Sequence, residues 1–342
     1  MFISTCQFSN RRPLPCAAAD QRIPLRPPPT PLHRAFCRPV SQPAVMDVPV
    51  SALLWTSIPA LPVLLTHQNA YAKLFPAAWY DAAPREATAA LDGNGRAAWP
   101  SPLGLSLGLL AVVVGQVVVL LYFWARRTGK LGTLKAIQKD GARPYEWGEG
   151  MWTHLAQPEG FVMLGGYLTG YWMLGLMPAS YYSFGGGINW AHVAMQLLLQ
   201  DFVQYLMHLV EHKLDARLYK ASHKPHHRFT NPRLFDAFNG SPTDTFLMIL
   251  VPLVVTSRLV HANVWSYMAF GSIYANWLTL IHAEYAHPWD GVFRKLGFGT
   301  AADHHVHHKL FIYNFGHLFM YWDRLLGTYK DPANVSVFND GI

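Results

Sequence analysis

The feature that most constrains the fold is an uncharged apolar run, SPLGLSLGLLAVVVGQVVVLLYFW at 101–124. A helix rises about 1.5 Å per residue, so about 20 apolar residues are needed to cross about 30 Å of hydrocarbon. This run is long enough and contains no ionisable side chain. We therefore predict a membrane-spanning helix in an integral membrane protein of the all-α class.

Further apolar runs extend this prediction to a helical bundle. Two of them, 161–182 and 188–207, are joined by the glycine-rich turn 185–187 and predict a hairpin of spans. A second apolar hairpin lies within 243–281, and its first arm is short. A weaker candidate at 48–66 is uncharged but is broken by two prolines, which remove backbone hydrogen bonds from a helix. We expect four to six spans in total.

Positive charge predicts the orientation of the bundle. If 101–124 ends in the cytoplasm, then the chain before 48, the segments 125–160 and 208–242, and the chain after 281 share that side. These pieces contain most of the 27 lysines and arginines, as cytoplasmic loops do. The net charge of +7 therefore implies no nucleic acid partner, because basic loops facing anionic headgroups account for it.

The chain before the first span differs in composition. Residues 1–47 are rich in proline and arginine and predict a disordered tail, with an organelle presequence as the alternative. All three cysteines, Cys6, Cys16 and Cys37, lie in this tail. Their position and spacing predict neither a disulfide framework nor a thiolate metal site.

Four groups of histidines lie beyond residue 200 and, in this topology, on the cytoplasmic side. They are HLVEH at 208–212, HKPHH at 223–227, HAEYAH at 282–287 and HHVHH at 304–308. Residues three or four apart share a helix face, so the rings of one group can point at one ion. Because imidazole is the commonest metal ligand in proteins, converging groups predict a metal centre.

The residues alone do not choose the metal. Structural zinc uses four ligands and favours cysteine, whereas here many histidines converge and no cysteine is near. Two ions that share about eight to ten imidazole nitrogens are the simplest interpretation, and imidazole suits iron, copper and zinc alike. The apolar surroundings favour iron, which with O2 oxidises unactivated C–H bonds of lipids.

The order of these groups resembles that of a known family. HxxxH, HxxHH, a third histidine site after a hydrophobic hairpin and a final HxxHH are similar to the fatty acid hydroxylase/sterol desaturase superfamily. The strings LYKASHKPHH at 218–227 and YNFGHLFMYWDRLLGTY at 313–329 resemble it too, with the closest likeness to C-5 sterol desaturase-like members. The resemblance implies a catalytic domain at 151–330. It leaves 48–150 for the N-terminal spans and a basic loop, and 331–342 for a C-terminal tail.

The resemblance also implies a set of iron ligands. His282 fills the third site, and we expect His287 to join it although it lies five residues further on. The expected ligands are His208, His212, His223, His226, His227, His282, His287, His304, His307 and His308. Four other residues, Asp201, Asp303, His305 and His317, are expected to support the ligands rather than bind iron.

The chemistry that the family implies uses two iron ions, with O2 as co-substrate. An external donor such as cytochrome b5 or its NAD(P)H-dependent reductase is expected to deliver the electrons, since the chain contains no HPGG haem motif. The expected location is the endoplasmic reticulum membrane, with the histidine groups facing the cytoplasm. The expected substrate is a membrane lipid, first a sterol, with fatty acyl, sphingoid and ether lipids as alternatives. Hydroxylation and desaturation both remain open.

Two functions of other classes compete with this interpretation. A membrane zinc hydrolase needs a carboxylate base near its metal, but the chain contains no HExxH motif and has too many histidines for one zinc. A metal transporter places polar residues along a path inside the spans, whereas these histidine groups lie outside the predicted spans. The sequence therefore favours the oxidoreductase.

Overall fold

Regular structure in the described part of the chain is helical. The structure is a computed structural model, and it describes residues 47–66, 68–76, 79 and 102–342 apart from 133, 143, 156, 158, 159 and 161. The predicted tail, except for its last residue, lies outside these residues, and so do the three cysteines and any presequence. Because the described residues form isolated β-bridges but no strand, the predicted all-α class is confirmed.

The described residues form twelve helices of four or more residues, besides short 3-10 turns. In chain order they are α1 (Asp47–Leu65), α2 (Gln68–Leu74), α3 (Pro102–Arg127), α4 (Trp147–Leu155), α5 (Met163–Met173), α6 (Trp190–Lys213), α7 (Ala216–Ala221), α8 (Pro242–Leu259), α9 (Val264–Leu280), α10 (Asp290–Lys295), α11 (Ala301–Leu310) and α12 (Tyr321–Leu326). Helix α8 contains a π-helical turn at Phe246–Leu250. Short 3-10 turns lie at Ala179–Tyr182, His226–Arg228, Leu234–Asp236 and Pro332–Asn334.

Three helices of the described chain are long and apolar enough to cross a membrane. They are Val48–Leu65, Pro102–Arg127 and Pro242–Leu259. The predicted span at 101–124 is thus a continuous helix. The arm that was expected to be short extends to 18 residues, because the turn of Pro242–Thr245 continues without a break into the apolar segment. The total of four to six spans stays a prediction.

The two prolines of the first span do not break it, contrary to the sequence-based expectation. Pro59 and Pro62 both lie inside the continuous helix α1. A proline at position 62 cannot donate to the carbonyl of Ile58, but Ser272 of α9 donates its hydroxyl to that oxygen at 3.2 Å. A neighbouring helix therefore satisfies the backbone oxygen, as is common for prolines in membrane helices.

The predicted span at 161–182 is not a single helix, which is a second correction. Helix α5 ends at Met173, and Gly175 follows with a φ of 65°. This left-handed conformation stops a helix and suits glycine. Pro178 then precedes the 3-10 turn at Ala179–Tyr182. The apolar composition of this run was read correctly, but the Gly and Pro positions divide it.

Helices α3 and α9 pack closely through a small residue and a polar network. Gln116 donates to Asn276 Oδ1 and to the carbonyl of Ala275, both at 3.1 Å, and accepts from Thr279 Oγ1 at 3.1 Å. A Cβ atom added at Gly115 would overlap the amide of Asn276. Small residues and hydrogen bonds of this kind hold helices together where lipid removes the hydrophobic driving force.

We expect Gly115→Leu to destabilise this helix pair. The added side chain would force Asn276 out of its hydrogen bonds, and overpacking of this kind costs about 1–3 kcal/mol. Gly108→Leu is the matched control, because it lies in the same helix with open space around its Cβ position. Thermal unfolding in detergent should show a lower midpoint for Gly115→Leu alone. Equal midpoints for the two variants would contradict this packing.

Candidate metal centre

The histidines of the four groups are carried by four different elements. His208 and His212 lie one helical turn apart near the end of α6. The segment after α7 carries His223 and then the 3-10 turn that begins after Pro225. His282 follows the end of α9, and α11 carries the last group. Segments that are far apart in the sequence thus bring their rings to one buried region.

The structure sorts nine of these rings into two clusters. The first histidine cluster contains His208, His212, His223, His227 and His307, and the second histidine cluster contains His226, His282, His304 and His308. Within each cluster the ligand nitrogens all lie within 4.8 Å of one another. Nine of the ten predicted ligands are therefore brought together, in two groups that can each hold an ion.

The first histidine cluster has nitrogen spacings that suit a metal ion. The Nε2 atom of His223 lies 2.9 Å from that of His208, and the Nε2 atom of His227 lies 3.0 Å from that of His212 and 2.9 Å from that of His307. Two ligands at right angles on a metal–nitrogen bond of about 2.1 Å are about 3.0 Å apart. The cluster thus has the dimensions of a coordination shell.

The second histidine cluster repeats this arrangement. The Nε2 atom of His304 lies 3.0 Å from that of His282 and 3.0 Å from that of His308, while the Nε2 atoms of His226 and His282 are 3.4 Å apart. The 3-10 turn explains how one HxxHH string serves both clusters. His226 and His227 are adjacent in this tight turn, so their rings point in different directions and each reaches a different cluster.

Three cluster rings are held at the opposite ring nitrogen by backbone carbonyls. Nδ1 of His208 bonds to the carbonyl of Phe315 at 2.7 Å, that of His282 to Leu278 O at 2.7 Å, and that of His307 to Tyr313 O at 2.8 Å. Because a carbonyl only accepts, Nδ1 carries the proton in each of these rings. The Nε2 lone pairs then face one another inside the clusters, and a cation is the partner that makes this arrangement favourable.

Burial keeps these rings in the neutral form that binds metals. The first-cluster rings are buried except for His212, which is half-buried, and all second-cluster rings are buried. Burial lowers the pKa of His223 to about 3. The pKa of His304 is also lowered, mainly because the ring is buried and secondly because His282 lies next to it. Neutral imidazole is the species that coordinates, so the donor set fits a transition metal.

A pair of buried acids supports the first histidine cluster. Asp244 accepts from His223 Nδ1 at 2.7 Å, and Glu211 approaches the same nitrogen at 3.7 Å. Together with His223 the two acids form a third group that can hold a cation. Glu211 was not predicted from the sequence, although its place directly before His212, on a helix with one other acidic residue, was an available signal.

We expect Asp244→Ala to lower the metal affinity of the first histidine cluster while the protein stays folded. Removing a carboxylate that orients a ligand typically costs about 10–100-fold in metal affinity or activity. Asp244→Asn keeps an oxygen acceptor for His223 Nδ1 and should show a smaller loss. Metal retained during dialysis against a graded chelator measures the effect. Identical retention in both variants and the wild type would argue against the orienting role.

The structure does not bring His287 into either cluster. Its ring stacks on Trp289 with centroids 4.5 Å apart, and Nδ1 lies 3.2 Å from the hydroxyl of Tyr122. His287 comes five residues after His282, just before Pro288, where the chain has left helix α9. The structure therefore does not place His287 with the nine other expected ligands. The residue packs against α3 instead.

Three of the predicted supporting residues act on the backbone and not on the cluster rings. His305 Nε2 bonds to the carbonyl of Ala283 at 3.1 Å, which fixes the chain next to His282. Asp303 caps α11 together with Thr300. Asp201 accepts from the backbone N–H groups of residues 317, 318 and 319. Each of them positions a segment that carries a histidine.

His317 lies between the two clusters. Its ring centroid is 5.1 Å from that of His208 in the first cluster and 5.0 Å from that of His304 in the second. It belongs to neither group of convergent nitrogens. His317 thus contacts one ring of each cluster, and its role in supporting the ligands stays a prediction.

Two neighbouring cavities lie between the metal centre and the apolar interior. The larger, of about 230 Å³, is enclosed mainly by α3, α5 and α9 and is lined almost entirely by apolar side chains. The smaller, of about 40 Å³, is lined by His223, His226, His282 and His317. Phe238, Ile249 and Leu278 line both cavities. These three side chains therefore form the boundary between the apolar space and the space beside the histidine clusters.

The fold and the site define a class, an all-α membrane protein with two buried histidine clusters at the end of an apolar cavity. Residues 193–328 match the family model "Fatty acid hydroxylase". The chain is 55% identical over 298 residues to "Alternative squalene epoxidase" of Phaeodactylum tricornutum, which covers 85% of this chain and 83% of that protein. The chain belongs to the fatty acid hydroxylase family.

More distant relatives match only the histidine-bearing part. "Lathosterol oxidase" of Rattus norvegicus is 33% identical over 153 residues, 43% of this chain and 48% of that protein. "Delta(7)-sterol-C5(6)-desaturase" of Nicotiana tabacum is 31% identical over 145 residues, 42% of this chain and 51% of that protein. No solved structure matches the chain. The predicted superfamily and its sterol desaturase likeness are confirmed, and the chain is a membrane oxidoreductase of lipids.

Proposed function

We propose that this protein is an O2-dependent di-iron oxygenase that epoxidises squalene. The observation that carries the proposal is the apolar cavity that ends at the histidine clusters, because squalene is a hydrocarbon and offers no polar group to a binding site. The relative named for squalene epoxidation is similar over 85% of the chain, well beyond the histidine-bearing region that the sterol enzymes share with it.

The reaction balances with one external reductant. Squalene, O2, two electrons and two protons give the epoxide and one water, and the alkene gains one oxygen atom while the other is reduced. The histidines of the two clusters would hold one iron each, and the iron pair supplies the activation of O2. We propose cytochrome b5 or its NAD(P)H-dependent reductase as the electron donor, as expected from the sequence.

The residues of this chain perform the binding and positioning. The walls that Phe238, Ile249 and Leu278 contribute to both cavities can place one alkene beside the clusters and exclude water from it. The carbonyl of Leu278 also accepts from His282 Nδ1. The same residue thus lines the lipid space and fixes a ligand, so helix α9 contributes to the position of both the alkene and His282.

A sterol substrate is the second candidate. The larger cavity is also lined by four tyrosines, Tyr167, Tyr171, Tyr267 and Tyr274, which can bond to the hydroxyl of a sterol. The relatives named as lathosterol oxidase and sterol desaturase match the histidine-bearing region. In that case the product would be a hydroxylated or unsaturated sterol, as the sequence-based expectation had it.

Expression in yeast cells that lack their own squalene epoxidase separates the two candidates. Under 18O2 the proposal expects squalene to be consumed and 2,3-oxidosqualene to appear with one 18O atom. Cells that express the chain but convert added lathosterol, while squalene accumulates, would support the sterol candidate and contradict epoxidation. An inactive variant with two ligands replaced, His304→Ala with His308→Ala, serves as the control for background oxidation.

The location also remains a proposal. We propose that the protein lies in the endoplasmic reticulum membrane with both histidine clusters toward the cytoplasm, since most basic residues fall on that side of the predicted spans. Single cysteines placed at exposed positions of the loops, in a chain without its natural cysteines, should react with an impermeant maleimide in sealed microsomes. Reaction only after permeabilisation would reverse the orientation.

A further inference from the structure

Helix α6 carries a line of buried polar residues that the metal site does not use. Gln196, Gln200 and Gln204 are spaced four residues apart, in register with His208 and His212, and all three glutamines are buried. Residues at this spacing lie on one helix face. A buried amide that lacks a hydrogen-bond partner is costly, so each requires a partner.

Gln204 is the one of these three glutamines that lines the smaller cavity, beside the histidine clusters. It lines the smaller cavity together with His223, His226, His282 and His317. Its Oε1 atom accepts from the hydroxyl of Tyr274 at 2.7 Å. Tyr274 lines the larger cavity, so this hydrogen bond crosses the boundary between the lipid space and the metal centre.

The hydrogen bonds around Tyr274 fix the orientation of the Gln204 amide. Gln200 Nε2 donates to the Tyr274 hydroxyl at 3.2 Å, and that hydroxyl donates onward to Gln204 Oε1. With Oε1 engaged as the acceptor, the NH2 group of Gln204 is left as a donor. Among the described residues, the hydrogen bond through Oε1 is the one that the Gln204 side chain makes.

A second unpartnered polar atom lies in the same place. His317 is 5% exposed, lines the smaller cavity and has no hydrogen-bond partner for Nδ1 among the described residues. A buried polar atom without a partner costs about 1–3 kcal/mol. The Nδ1 atom of His317 and the NH2 group of Gln204 belong to residues that line one small cavity, and together they indicate a polar ligand atom between them.

We propose that Gln204 donates a hydrogen bond to the oxygen atom of an oxygenated apolar lipid, the product of the reaction at this centre. The inference rests on the proposed function, and it assigns the residue that recognises the new oxygen. An epoxide oxygen only accepts hydrogen bonds, which matches an amide donor. The larger cavity holds the hydrocarbon part of either lipid, so the substrate and its epoxide differ at the polar end of the smaller cavity, where Gln204 and His317 lie.

Equilibrium binding to the full-length, metal-loaded protein tests this role without turnover. With no electron donor present, radiolabelled squalene and 2,3-oxidosqualene are bound in detergent, and protein-free micelles are subtracted. The wild type should prefer the epoxide on the order of three- to tenfold, the ratio expected for one net hydrogen bond. Gln204→Leu should lose this preference while squalene binding is not weakened. Tyr274→Phe, which frees the amide to rotate, should lose part of it.

Gln196→Leu is the matched control. It makes the same change on the same face of α6, but Gln196 lines neither cavity and bonds to Tyr181. The epoxide preference should survive in this variant. An absent preference in the wild type, or a preference retained in Gln204→Leu, would overturn the inference.

The failure of the inference can be told apart from the failure of the proposed function. If the wild type binds neither squalene nor its epoxide, squalene is the wrong substrate. The same comparison is then made with 1-octadecene and 1,2-epoxyoctadecane, which differ by the same oxygen. Equal binding of that pair, or no binding of either member, overturns the role of Gln204.

Discussion

His226→Ala and His307→Ala are each expected to remove about half of the bound iron and to lower turnover by more than about 100-fold. The two residues belong to different clusters. Each replacement deletes one Nε2 donor that lies 3.4 Å or less from a neighbouring donor. Loss of a direct ligand should exceed the 10–100-fold effect of losing a residue that merely supports one. Iron content and squalene conversion, measured on the same purified samples, check the result.

His287→Ala is the matched control for both variants. It removes a buried imidazole from the third histidine group of the sequence, but one that contacts Tyr122 and Trp289 instead of a cluster. We expect this variant to keep its full iron content and to insert into membranes normally. If His287→Ala lost iron as His226→Ala does, the division into two clusters of five and four histidines would be wrong.

Leu278→Trp is expected to lower turnover by about 100-fold while the iron content stays unchanged. The larger ring would fill the boundary between the two cavities and hold the alkene away from the clusters, and displacements of about 1 Å are enough for a loss of this size. The His282 hydrogen bond goes to the backbone oxygen of Leu278, so the substitution leaves the ligand in place.

Leu110→Trp controls for the added bulk in a membrane helix. Leu110 lies in α3 and is 46% exposed, away from the core, so the indole ring can point outward. Turnover should remain within about twofold of the wild type, as for most surface substitutions. Loss of iron in Leu278→Trp would indicate that the fold had changed, and full activity with iron retained would show that substrate reaches the metal by another route.

The sequence predicted the parts of the fold that depend on composition and local spacing. An uncharged run at 101–124 had to become a helix, and the regular spacing of His208 and His212 placed both rings on one face. The four histidine groups together could be recognised as a metal site because imidazole has few other reasons to recur in this way. Nine of the ten expected ligands converge accordingly.

What the sequence could not predict depends on contacts between distant segments. The split of His226 and His227 between two clusters follows from a 3-10 turn whose direction is set by packing. Asp244 accepts a hydrogen bond from His223, which lies 21 residues earlier in the sequence. Ser272 of α9 donates to the backbone oxygen that Pro62 of α1 leaves without its usual donor. The four-residue spacing of the glutamines on α6 is visible in the sequence. The role proposed for Gln204 depends on its hydrogen bond to Tyr274 and on the cavities, which the sequence does not show.

The number and identity of the metal ions in the purified full-length protein test the central claim most directly. Mass spectrometry of the metals, combined with Mössbauer spectroscopy of protein grown on 57Fe, should find about two irons per chain in nitrogen-rich sites. One zinc per chain, or a single iron that persists after either cluster is disrupted, would contradict a centre in which two groups of histidines hold one ion each.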